Sequence, residues 1–95
     1  MSADMDGGVP VYEIKGELIR RVDSAKCGYD AVIFWETVNE DGKTKTGHAV
    51  NVKYADKRIK KKAEKLNRHL VSARGLPLRG PKDRMYNIVS IERMD

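Results

Sequence analysis

The 95-residue chain predicts an α+β domain, with a mainly antiparallel sheet of three to five strands and one basic amphipathic helix packed on one face. Three observations carry this. Short runs rich in β-branched and aromatic residues are separated by turn residues, an Asp-Gly pair divides two of those runs, and a Lys-rich stretch with helical apolar spacing follows the second. A chain of this length holds one modest core without disulfides. Its first eight residues, MSADMDGG, lack any periodic apolar pattern and read as a flexible segment ahead of a single domain over 9–95.

Taken in order, Tyr12, Ile14, Leu18 and Val22 share one parity while Glu13, Lys15, Glu17 and Arg21 share the other, which is the pattern of a half-buried strand. Gly16 interrupts it and marks either a bulge in one long strand or a turn between two short ones. The turn-rich DSAKCGYD, Asp23 to Asp30, closes the element. Ala31 to Val38, AVIFWETV, carries apolar residues on both parities, as a central strand does. Phe34 and Trp35 must then point to opposite sides of it. Asp41-Gly42 tolerates the positive φ of a hairpin turn, so Thr44 to Tyr54 should return beside it, with His48, Val50, Val52 and Tyr54 on one face.

The following stretch, Asp56 to Gly75, reads as one helix. At about 100° per residue, Ala55, Ile59, Ala63, Leu66, Leu70 and Ala73 fall within about 80°. Asp56 suits the N-cap, where its carboxylate accepts from a free N–H and complements the helix dipole. Gly75 suits the left-handed C′ position, Leu76 can fold back on Val71, and Pro77 forbids a restart. The expected packing sets Ile59, Leu66 and Leu70 against Val50, Val52 and the even-parity side of AVIFWETV. Gly75 to Asp83 then reads as a loop, and Tyr86 to Met94 as a last strand. The order of strand, hairpin and helix resembles the layout of small DNA-binding domains whose three-stranded sheet enters a groove, integrase arm-type domains among them.

The net charge of +5 is unevenly placed. From Lys53 to Arg84 there are twelve Lys or Arg against Asp56, Glu64 and Asp83, while the remainder carries an excess of four acids. Lys57, Arg58, Lys61, Lys65 and Arg68 lie opposite the apolar stripe of the expected helix, and Arg79, Lys82 and Arg84 follow in the loop. A solvated helix usually mixes signs. Here like charges repeat at i,i+3 and i,i+4, each pair costing a few tenths of a kcal/mol, so an external anion is the better explanation. The predicted partner is duplex DNA or structured RNA held through its phosphates. The rival is a protein interaction module, an inhibitor or adaptor docking on an acidic partner by charge and strand addition.

Catalysis finds little support. His48 and His69 lack neighbouring ligands at metal spacing, the lone Cys27 has no matching nucleophile signature and reads as an incidental thiol, and no phosphate loop is present. The expectation is a non-enzyme without metal or cofactor. With no signal-peptide pattern and no apolar run of membrane length, the sequence reads as intracellular, cytoplasmic or nucleoid-associated.

Overall fold

A computed structural model describes residues 11–23, 26, 28–78 and 85–95. Within them lie β1 (Tyr12–Arg20), β2 (Ala31–Val38), β3 (Lys45–Tyr54), α1 (Lys57–Glu64), β4 (Leu70–Leu78) and β5 (Met85–Arg93). The fold is α+β, but the sheet is mixed rather than mainly antiparallel, and it closes into a barrel in the order β1-β2-β3-β5-β4. The parallel contact is β3 with β5, from Asn51↔Met85 to Tyr54↔Ile88. A closed sheet also sets aside the likeness to open three-stranded groove readers. The expected flexible segment at 1–8 and Cys27 lie outside the described residues.

Closure depends on β1 serving two neighbours. It pairs with β4 from Tyr12 to Glu17 and with β2 from Glu17 to Arg20. Gly16 sits at the changeover, inside one continuous strand. A Cβ at that position would collide with the carbonyl oxygen of Phe34, so the glycine lets β2 approach β1 closely where the sheet curls. The strand stops at Arg20, and Val22, expected on the inner parity, is 94% exposed.

The barrel encloses the core. Ile14, Leu18, Ala31, Ile33, Val50, Val52, Val71, Ala73, Ile88 and Ile91 are buried, with Ala63 added from α1. Burying a side chain such as Ile33 or Ile88 contributes about 1.5–3 kcal/mol relative to leaving it exposed. The inner residues of β2 are therefore the odd-numbered Ala31 and Ile33, and the expected even-parity contact is reversed.

The predicted helix is cut to less than half its length. Its start is as expected: Asp56 is extended and its carboxylate accepts from the Ile59 N–H at 3.0 Å. It ends at Glu64, with Lys65 as C-cap. Leu66 and His69 N–H donate to the Ala63 and Leu66 carbonyls, and Arg68 adopts φ 72°, turning the chain into β4. Gly75 is not a helix terminus but a strand residue at a register shift between β4 and β5, where a Cβ would meet Ile88 Cδ1 at 2.9 Å. The expected fold-back of Leu76 onto Val71 falls with it, since Val71, Leu76 and the start of the expected loop all belong to β4. Leu70, expected in the core, faces outward at 49% exposure.

Strand beats helix here because residues 70–78 find backbone partners on both sides, β1 and β5, while Val71 and Ala73 turn inward. A barrel buries its inner face against itself, so α1 need not cover a sheet face. It closes the end at which β1 and β3 finish, packing the buried Ala63 and the half-buried Ile59 and Leu66 on the core. The turn behind it is tied to β1, with Arg68 N–H donating to the Leu18 carbonyl at 2.7 Å and Leu18 N–H to the His69 carbonyl at 3.0 Å.

Candidate functional site

Of the cations singled out from the sequence, Lys57, Arg58, Lys61, Lys65 and Arg68 lie among the described residues. Lys57, Arg58 and Lys61 are exposed on α1, and Lys65 is exposed at its C-cap. None of the four has an ion-pair partner among the described residues. Arg68 lies beyond the helix and is committed differently, its Nε standing 3.3 Å from Glu17 Oε2. Lys62 reaches across to Glu92 Oε1 at 2.7 Å, tying α1 to β5. Arg79, Lys82 and Arg84 lie outside the described residues, in the segment that joins Leu78 to Met85. Those two residues are register partners at the far end of β4. β4 carries the chain from Leu70 to Leu78, about 30 Å at about 3.3 Å per residue, while Met85 pairs with Asn51 on the strand that leads into α1.

The far end of the barrel carries the most distinctive geometry. β1 and β2 part there: their register stops at Glu17↔Phe34, while β2 continues with β3 out to Val38↔Lys45. Trp35 is the first residue of β2 past the parting. Its indole is half-buried against the core and stacks on the His48 ring, with centroids 5.4 Å apart and planes at 20°. His48 is its direct cross-strand partner, and His48 Nε2 lies 2.8 Å from Thr37 Oγ1, which fixes the imidazole plane. Tyr12, at the start of β1, meets Tyr86, near the start of β5, edge to face at 5.8 Å.

Tyr12, Ile14, Trp35, Val50 and Tyr86 border an open groove of about 420 Å³, with Glu13 and Lys15 at its rim. Lys15 Nζ lies 3.7 Å from Glu13 Oε1, a solvated pair that leaves the rim without net charge. On the other side of Trp35 a second groove of about 370 Å³ runs past Phe34, Val38, Lys45 and Leu70. Phe34 and Trp35 thus do point to opposite sides of β2.

The Trp35–His48 contact was within reach of the sequence, because a hairpin centred on Asp41-Gly42 sets residues 35 and 48 opposite each other. Gly42 has φ 72°, as expected, and the Asp41 carboxylate accepts from Lys43 N–H at 2.8 Å, Thr44 N–H at 2.9 Å and the Thr44 hydroxyl at 2.8 Å. Those bonds, from the Lys43 N–H first, hold its carboxyl below the ordinary value. The Tyr12–Tyr86 contact had no such signal, since it joins strands that only barrel closure brings together.

Elsewhere, burial first, then the charges of Asp30 and Glu64, push the Tyr54 phenol up to about 12. It borders a small polar recess with Lys60, Glu64 and Asp30 beside α1. Among the described residues no three His, Cys, Asp or Glu side chains are placed to hold a metal ion, and no helix is long and apolar enough to cross a membrane. The sequence matches no family model, and no curated protein or solved structure is matched by it.

Proposed function

We propose that this chain is a non-enzymatic nucleic-acid-binding barrel that holds its ligand through the phosphate backbone. The observation that carries the reading is the architecture: a closed five-stranded barrel in the order β1-β2-β3-β5-β4, with a helix between the third and fourth strands. This is the arrangement of OB-folds, which bind oligonucleotides and oligosaccharides across the second and third strands and the adjoining loops. The argument is one of fold-level analogy. Net charge supports the first of these ligand classes, because a +5 chain attracts a polyanion and gains nothing from a neutral sugar. Lys57, Arg58, Lys61 and Lys65 are the phosphate-contacting candidates at the helix end, with Arg79, Lys82 and Arg84 completing the set from the sequence. Arg68 joins them only by giving up Glu17, a small loss for so exposed a pair.

The test is a binding titration over a range of salt with duplex DNA, duplex RNA and a single strand. If roughly five phosphates are neutralised, log affinity for duplex DNA falls with log salt at a slope of about −4 to −5. Changing Lys61 and Lys65 together to Gln keeps helix propensity, so folding survives while affinity drops for all sequences alike and the slope loses about 2. Absence of salt-sensitive binding to all three would hand the surface to the second reading, a module docking on an acidic protein. The exposed Val38 (61%) and Leu70 beside the second groove would then supply its apolar contact.

A further inference from the structure

We infer that the groove at the barrel end away from α1, between the Trp35–His48 stack and the Tyr12–Tyr86 pair, receives an unpaired nucleobase. The barrel then prefers single-stranded nucleic acid, or a strand with an extruded base, over an intact duplex. This inference rests on the nucleic-acid reading and adds the form of the ligand.

Three features of the groove select a base over other occupants. Its walls are the rings of Tyr12, Trp35 and Tyr86 and its floor is the apolar Ile14 and Val50, surfaces that match a flat π-face. Its rim is electrically balanced by the Glu13–Lys15 pair, so it offers a phosphate nothing, while an uncharged ring loses little hydration there. Its volume of about 420 Å³ lies within the roughly 300–1,000 Å³ of small-ligand sites and exceeds what a lone water or ion needs.

The rings are also held in place. Trp35 packs on the core and stacks on His48, and His48 is held by Thr37, so the indole's place in the groove wall is already set before a ligand arrives. Tyr12 is 47% exposed, borders the groove and meets the Tyr86 ring edge to face. Bases inside a duplex already stack on each other and cannot enter a recess between strands without leaving the helix.

Trp35 is the sole tryptophan and borders both grooves, so its emission reports an occupant of either, and Tyr12, which borders only this one, tells them apart. The full chain is titrated with an oligothymidylate of about 12 nucleotides, within the site sizes of such barrels, with an abasic strand of the same length, and with a matched duplex. The expected result is quenching of Trp35 by the oligothymidylate but not by the abasic strand, with affinity for the abasic strand and the duplex weaker by at least about 5-fold. Tyr12→Leu should weaken oligothymidylate binding about 5- to 150-fold and leave abasic binding unchanged, while Tyr12→Phe restores it; thermal unfolding verifies that both variants fold.

Equal, salt-sensitive binding of the base-bearing and abasic strands, or duplex binding as tight as single-strand binding, overturns the groove and leaves the phosphate reading standing. So does base-dependent binding that leaves Trp35 emission unmoved. Failure of every strand to bind at low salt overturns both.

Discussion

Gly16→Ala should destabilise the protein at a position where strand statistics favour the change. In an ordinary strand the substitution stabilises by roughly 0.5–1 kcal/mol, because alanine has less freedom to lose on folding. At Gly16 the new methyl group would collide with the Phe34 carbonyl oxygen and stand 3.0 Å from both the Phe34 carbonyl carbon and Ile33 Cγ2. Two of those three atoms are backbone of β2. Relief therefore requires β1 and β2 to separate, at an overpacking cost of about 1–3 kcal/mol. Separation also strains the ladder at Glu17↔Phe34 and Leu18↔Ile33, where each lost hydrogen bond adds about 1 kcal/mol. The net expectation is a loss of about 1–4 kcal/mol, measured as a lower urea midpoint at unchanged m value. Gly47→Ala is the control: its methyl would meet only Phe34 ring atoms, at 3.0 and 3.3 Å, and that half-exposed ring can turn aside. A Gly16→Ala protein as stable as the parent, or losses equal at the two glycines, would refute the close approach of β1 and β2 as the reason for Gly16.

Two further outcomes follow from the same packing. Ile88→Ala, at a wholly buried position, should cost about 2–5 kcal/mol in denaturant unfolding, whereas Leu70→Ala, on the outside of β4, should stay within about 0.5 kcal/mol; similar losses would return Leu70 to the core and residues 65–75 to a helix. Asp95 is held down to about 2, from an ordinary 3.8, by the hydrogen bond from Arg93 first and by the Leu70 N–H next. A carboxyl depressed in the folded state contributes stability that is present above its unfolded pKa and disappears as pH falls through the folded value. Asp95→Asn should therefore be the less stable protein near neutrality, with the gap closing between about pH 4 and pH 2 in thermal unfolding scans. A gap that does not change with pH would remove the Arg93 contact as its source.

By itself the sequence determined the local elements whose signals are short-ranged. The hairpin about Asp41-Gly42, the inner residues Val50 and Val52, the last strand within a residue of its observed limits and the Asp56 cap each depend on chemistry between residues a few positions apart. The charge asymmetry that motivates a polyanionic ligand is likewise a property of the chain alone.

Tertiary structure decided what lies between Leu66 and Leu78. Leu66, Leu70 and Ala73 fit a helical stripe, while Val71, Ala73 and Gly75 fit a strand equally well, and a ten-residue window contains nothing to choose between them. The choice came from β1 and β5, which sit far away in sequence and offer the backbone of 70–78 a ladder on each side. That exchange moved Leu70 to the surface and carried the chain from the helix end to the opposite barrel end. It also set a nine-residue strand in the chain between α1 and the segment bearing Arg79, Lys82 and Arg84. The same closure made β3 and β5 parallel and set Tyr12 against Tyr86, completing a groove whose three rings come from three strands. No local pattern encodes such a groove, because its geometry exists only once the first strand has paired with both the second and the fourth.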